Sequence, residues 1–394
     1  MNAPNILANH KRVTQFVVSF GPAWLVMIAD VDAASILTAA ETGVLFHYGL
    51  IWLLLLLTVP LFFIQEASGR IGSVTHKGLG EVIRTNYSRN VALFAAVPMA
   101  ITDVLTYVAE YLGIVIGLGI VGISPIISVS VAYTLHVLLV YKRKYAAVEK
   151  VMLVISAILL LSYVAALFMR GVMNYSPFYL STSPSFLFLI AANAGAVVMP
   201  FMPFYQASAT AEKKAGNIRS SRIETLVGAV VSEALMVVIV MVSAGVDRGL
   251  NFMSPKELSI GLAGVAGKYA PLLFAIGLVA AAFLALTVIS LGSAWGLVEA
   301  IGWPRSKAFW VYFVESVPAV IATIMLTTNL LAGILNLMVA FVFVLVGPAL
   351  IMGLIASDQR VMGEYASRGY WKIAYWLSLA FVLALGVISI VSSL

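Results

Sequence analysis

The chain has 394 residues, 62% of them hydrophobic and only 10% charged, with a mean hydropathy of +1.04. This balance excludes a soluble globular domain and defines a polytopic membrane protein in the lipid bilayer. There is no cysteine, so a disulfide framework and any Cys-based metal or redox site are excluded, and four histidines argue against a closed structural zinc site.

Apolar runs long enough to span a bilayer, roughly 20 residues each, recur eleven times along the chain. The first covers Val13–Phe46 and is interrupted near Asp32. It is followed by Leu50–Glu66, Val91–Val121, Ile123–Tyr141 and Val151–Phe168. The sixth, Ser183–Ala207, carries a break signal at Pro200, and Leu226–Ala244, Pro271–Val298, Phe309–Thr327, Leu331–Ala356 and Trp371–Ser393 complete the set. The short polar N-terminus has no features of a cleavable signal. Trp52, Trp303, Trp310, Trp371 and Trp376 fall near span boundaries, as interfacial anchors do.

The net charge of +6 follows the membrane rather than a nucleic acid. With the N-terminus in the cytoplasm, only Arg170, Arg248, Lys256 and Lys268 of the 23 Lys and Arg residues face outside. This positive-inside bias places the C-terminus outside, as in a prokaryotic inner (plasma) membrane protein. The two interrupted spans lie five spans apart. That interval predicts two inverted halves, residues 13–168 and 183–356, plus an extra C-terminal helix over 371–393. Substrate in such a fold sits at the midplane between discontinuous helices.

The stretch Ile28-Ala29-Asp30-Val31-Asp32-Ala33-Ala34-Ser35 lies inside the first span. Carboxylates in such a run are costly unless they face protein, water or an ion. The small residues after Asp32 allow the helix to open, and freed carbonyls are tolerated only where they line a cavity. Acid, hydroxyl and open backbone together make an oxygen-rich site for a hard cation. In the sixth span, Asn193-Ala194-Gly195-Ala196-Val197-Val198-Met199-Pro200-Phe201 has a matching feature. Pro200 lacks an N–H and frees a carbonyl one turn earlier, near Ala196. Met199 brings a thioether to that level, and thioethers favour Mn(II), Fe(II) or Cd(II) over Mg(II) and Ca(II). The same spacing also fits a plain kink with a packed methionine.

In these motifs the chain resembles the natural resistance-associated macrophage protein (NRAMP) family of divalent metal transporters. The family's first-helix Asp-Pro-Gly-Asn reads Asp32-Ala33-Ala34-Ser35, followed by Gly43, and its sixth-helix Ala-x-x-Met-Pro-His reads Ala196 to Phe201. Gln65 and Arg70, Ala109-Glu110 with Gly113, and Ser357 to Glu364 add to the likeness along nearly the whole chain. The resemblance implies an all-α fold of the leucine-transporter type with discontinuous first and sixth helices. It also implies uptake of Mn or Fe, with the ion held by Asp32, Met199 and the carbonyls of Ala29 and Ala196, and Ser35 in the Asn position. The family's sixth-helix histidines read Phe201 and Gln206, and its third-helix Asp reads Tyr107, while Glu110 keeps its acid. Proton coupling is therefore incomplete by this comparison, with Glu110, Asp30, Tyr107 and Gln206 left as candidates for a proton or permeation path.

Several alternatives stay open on sequence alone. The shorter Ser35 leaves room for a water, which suits Mg(II). An organic-cation or amino-acid carrier would use Asp32 on an amine, against the bulk of Met199 and Phe201. No paired catalytic motif points to an enzyme. No cofactor, nucleic acid or obligate protein partner is expected beyond the transported divalent metal. Asp30 lies two residues from Asp32 and points away from it on a helix. Of Glu41, Glu66, Asp103, Glu110, Glu233, Glu299 and Glu315, some are expected to be merely solvated, and His47, His76 and His136 are expected at the interface. Gly113 and Gly117 have the spacing of a helix-packing contact. The topology predicts that alkaline phosphatase fused after Leu394 is active and that a green fluorescent reporter at the same point is dark.

Overall fold

The computed structural model describes residues 21–141, 145–213, 218–325 and 331–393. The stretch from Val13 to Phe20, the end of the ninth span at Thr327, and Lys11, Arg12, Lys142, Arg143, Lys144 and Lys214 lie outside the described residues. Those described residues form helices and turns without a strand. Among the described residues nine helices are long and apolar enough to cross a membrane, the bent pair Pro22–Ala29 and Ala33–Phe46 makes a tenth span, and the shorter apolar helix Pro125–Val140 covers the fourth predicted run. The halves of the first span meet at 49°. The sixth span is helical over Pro184–Val197 and Phe201–Lys213, with Val198 extended between them.

Burial sorts the spans by role. The sixth is 83% buried and the eighth, Ala270–Ile301, 72%, whereas the fifth, Tyr145–Arg170, is 33% buried. The interrupted helices therefore form the centre and the fifth span faces lipid. Close approach at the centre requires small residues. A Cβ on Gly113 would run into Ala33 beside the first break, and one on Gly117 would lie 2.7 Å from Val279 Cγ2 of the eighth span. The glycine pair thus seats the third span, Arg89–Ile120, between the first and the eighth.

Two spans are longer than hydropathy indicates, because their charges are paired rather than solvated. The second runs on from Glu66 to Thr75. Arg70, on this extension, bonds Glu66 Oε1 at 3.1 Å, the Tyr365 carbonyl at 2.5 Å and Ser367 Oγ at 2.7 Å. The seventh begins at Ile218 rather than Leu226, and its Arg222 bonds Glu66 Oε1 at 2.8 Å and lies 4.0 Å over the Trp371 ring. Two short helices, Leu79–Asn86 and Pro255–Ala266, lie between the apolar runs, and the second starts at a Ser254 cap that accepts from Glu257 N. The first buries Leu79, Val82 and Ile83, and its Arg84 donates to the Glu299 carbonyl at 2.9 Å.

Several of the basic residues between spans are paired with carboxylates. Lys213 pairs with Glu149 at 2.7 Å, and Arg305 pairs with Glu212 at 2.7 Å and Glu299 at 2.9 Å. Glu224 of the seventh span caps the first half-helix by accepting from Gly21 N at 2.7 Å and Trp24 N at 2.8 Å. Removing one partner of a buried pair leaves the other charge uncompensated. Glu66→Ala strands Arg70, which is 5% exposed, and is expected to destabilise the fold by roughly 3–5 kcal/mol, read as a lower unfolding temperature in detergent.

Candidate functional site

At the first break, backbone groups change partners. In an unbroken helix the Ala33 N–H would bond the Ala29 carbonyl. It bonds Glu110 Oε2 of the third span instead, at 3.0 Å, which frees the Ala29 carbonyl. Asp32 has extended backbone and caps the second half-helix, accepting from Ser35 N at 2.7 Å through Oδ1. Asp32 Oδ2 and Glu110 Oε1 are left with no hydrogen-bond partner, and both residues are fully buried. Orphan amides at a helix N-terminus favour negative charge, which is why two carboxyl groups can converge there.

The sixth span supplies the opposite wall. Pro200 cannot donate to Ala196, and the Ala196 carbonyl accepts the Ser35 hydroxyl at 3.4 Å across the two breaks. Asn193 Nδ2 donates to Thr42 Oγ1 at 2.9 Å, tying the first half of the sixth span to the second half of the first. Met199 is fully buried in the non-helical link between Val197 and Phe201. Among the described residues no group of three or more His, Cys, Asp or Glu side chains is arranged to hold a metal. The groups the structure brings together at the two breaks are the Asp32 and Glu110 carboxyls, the Ser35 hydroxyl and the Ala196 carbonyl.

The other candidates lie apart from this point. Asp30 turns to the seventh span, where its Oδ2 accepts from Ser232 Oγ at 3.4 Å and its Oδ1 has no partner. Glu233 beside it is fully buried, with both carboxylate oxygens unpartnered. Gln206 donates to Thr225 Oγ1 at 3.0 Å between the sixth and seventh spans. Tyr107 is fully buried with its ring 6.3 Å from that of Tyr312 of the ninth span. One expectation is corrected. His136 does not sit at the interface but is fully buried, with Nδ1 3.2 Å from Tyr111 OH and Nε2 3.2 Å from Ser290 Oγ. Its partners come from the third and eighth spans, so nothing local signals the burial. Asp103 and Glu315 are also buried rather than solvated, and they face each other only because the third and ninth spans pack together.

Paired helix breaks around a buried polar centre, in an eleven-span helical bundle, define a membrane transporter fold of the leucine-transporter type. The same fold is found in a Na⁺-coupled sialic acid symporter in its outward-open state, with a TM-score of 0.55 at 12% identity over 97% of this chain and 95% of that one. It is matched more fully by the manganese transporter of Eremococcus coleocola, with a TM-score of 0.79 at 18% identity over 96% of this chain and 86% of that one. The sequence profile described as "Natural resistance-associated macrophage protein-like" matches residues 23–392, and the chain belongs to this Nramp family. Among its relatives is the divalent metal cation transporter MntH of Verminephrobacter eiseniae, 25% identical over 98% of this chain and 92% of the relative.

The role of the sixth-span proline has a direct test. Pro200→Ala restores an N–H that re-bonds the Ala196 carbonyl. Calorimetry with Mn²⁺ is expected to show affinity reduced about tenfold, equivalent to about 1.4 kcal/mol.

Proposed function

We propose that this protein carries a divalent metal ion into the cell by alternating access, with Mn²⁺ or a similar transition metal as substrate. The observation that carries the reading is the bridge at the two breaks: Ser35, one helical turn from the open carboxylate of Asp32, reaches the carbonyl that Pro200 releases at Ala196. Asp32 supplies the charge, the Ala29 and Ala196 carbonyls replace part of the hydration shell, and Met199 supplies the soft ligand that selects a transition metal. Ser35 holds a water in the first shell or meets the ion itself. The similarity to a divalent metal cation transporter and to a manganese transporter supports this assignment.

Glu110 serves as the second acid and holds the break open through the Ala33 amide. Proton coupling is weak, because Tyr107 and Gln206 occupy positions where a proton relay needs groups that titrate near neutral pH. The two halves are inverted repeats, the N-terminus is cytoplasmic and the C-terminus external. Access alternates when Glu224 releases Gly21 and Trp24, which frees the first half-helix to swing from the inner end.

A second reading, Mg²⁺ carried with part of its water shell, draws on the 3.4 Å Ser35 contact, which leaves that hydroxyl weakly engaged. Vesicle uptake of Mn²⁺, Cd²⁺, Mg²⁺ and Ca²⁺ with a pH dye inside decides among these. Asp32→Ala is expected to abolish uptake of every ion, and unaffected uptake would remove the site. Met199→Ala is expected to lower Mn²⁺ and Cd²⁺ affinity about tenfold, about 1.4 kcal/mol, while sparing Mg²⁺. Equal loss for both classes of ion would make the thioether a packing group. Acidification of the lumen in step with metal entry would overturn the weak-coupling assignment.

A further inference from the structure

A second polar cluster lies on the Arg89 side of the first. Asp103, Tyr107 and Glu110 recur at four- and three-residue intervals and so share one stripe of the third span, with about 10 Å of rise from Asp103 to Glu110. Asp103 is fully buried, and neither of its carboxylate oxygens has a hydrogen-bond partner. Opposite it, Glu315 of the ninth span accepts from Ser293 Oγ of the eighth at 2.9 Å through Oε1, and its Oε2 has no partner. Asp103 is close enough to interact with both Glu315 and Ser293. The Tyr107 hydroxyl is a further feature of the same space: it is fully buried, makes no well-formed hydrogen bond and is close enough to interact with both carboxyl groups.

No positive side chain balances this pair. Neither Asp103 nor Glu315 belongs to an ion pair among the described residues. Lys307 lines the same crevice as Glu315, but its ammonium sits 4.8 Å from the centre of the Trp303 ring. His136 is engaged by Tyr111 and Ser290, and its ring centre lies 6.5 Å from that of Tyr107. The crevice itself, about 480 Å³, is otherwise walled mainly by apolar residues such as Ile101, Val104, Val311 and Val314. Two buried carboxyl groups with open oxygens must bind a cation or give up a charge.

We propose that Asp103, Glu315, Ser293 and Tyr107 form a second cation site that takes a hard divalent ion through oxygen ligands alone. Two carboxylates and two hydroxyls, completed by water, match the few-carboxylate coordination of Mg²⁺ and also accept Mn²⁺. The site has no thioether, so Mg²⁺ competes there far better than at the Asp32 site, where Met199 favours a softer ion. The stripe through Tyr107 to Glu110 links the two positions. The second site does not depend on metal being held at Asp32.

Counting bound Mn²⁺ on the full chain in nanodiscs, from the loss of the free-ion electron paramagnetic resonance signal, tests this. Two ions per chain are expected, one of them displaced by excess Mg²⁺. The pair Asp103→Asn and Glu315→Gln is expected to remove only the Mg²⁺-displaceable ion, and Asp32→Ala only the other. Tyr107→Phe is expected to weaken the displaceable ion about tenfold without altering the fold. A single ion in the wild-type chain that only Asp32→Ala removes would overturn the second site while leaving the first intact. Two ions in the double variant would overturn it as well. Should the double variant fail to fold, unchanged affinity in Tyr107→Phe overturns the proposal.

Discussion

The structure depends on one exchange of hydrogen bonds, in which the Ala33 amide leaves its own helix for the Glu110 carboxyl. Backbone groups within a membrane must be satisfied inside the protein, so a helix cannot simply stop at mid-depth. Glu110 accepts the released donor, Asp32 caps the new N-terminus through Ser35 N, and the Ala29 carbonyl loses the helical bond from Ala33. The sixth span reaches the same condition by covalent means, because Pro200 has no donor to give Ala196. The two breaks complement each other, and Ser35 joins them.

Around this centre, charge is distributed in two ways. Near the ends of several spans, carboxylates are matched by guanidinium and ammonium groups. Glu66 meets Arg70 and Arg222, and Glu299 meets Arg305. Glu224 in turn caps the first half-helix, accepting from Gly21 N and Trp24 N. In the middle of the bundle the acids are left open instead: Asp32 with Glu110, Asp30 with Glu233, and Asp103 with Glu315 each keep at least one oxygen without a partner. Paired charges leave little field outside the pair, whereas an unmatched buried carboxyl group attracts a cation or a proton.

Particular residues show how far the chain could be read in advance. Asp32 and Pro200 were legible because each stands beside small or polar residues in an apolar run, whereas Pro60, Pro98, Pro318 and Pro348 lie inside unbroken helices. Gly113 and Gly117 were legible from their spacing, and they do meet Ala33 and the eighth span. The extension of the second span to Thr75 was hidden, because hydropathy counts Arg70 as solvated while Glu66, Tyr365 and Ser367 in fact surround it. His136 was misplaced for the same reason, since its partners Tyr111 and Ser290 come from other spans.

The amino-acid order by itself determined a helical membrane protein, the number of its spans and the two places where helices open, because transfer of apolar surface out of water and the loss of a backbone donor are local properties of the chain. Only the tertiary structure decided which acids stay open and which are neutralised. Glu66 and Asp103 look alike in sequence, yet one lies between two arginines and the other faces Glu315 and a tyrosine hydroxyl. That difference arises from which helices pack together, and a carboxylate in low dielectric is governed by its neighbours in space rather than in sequence.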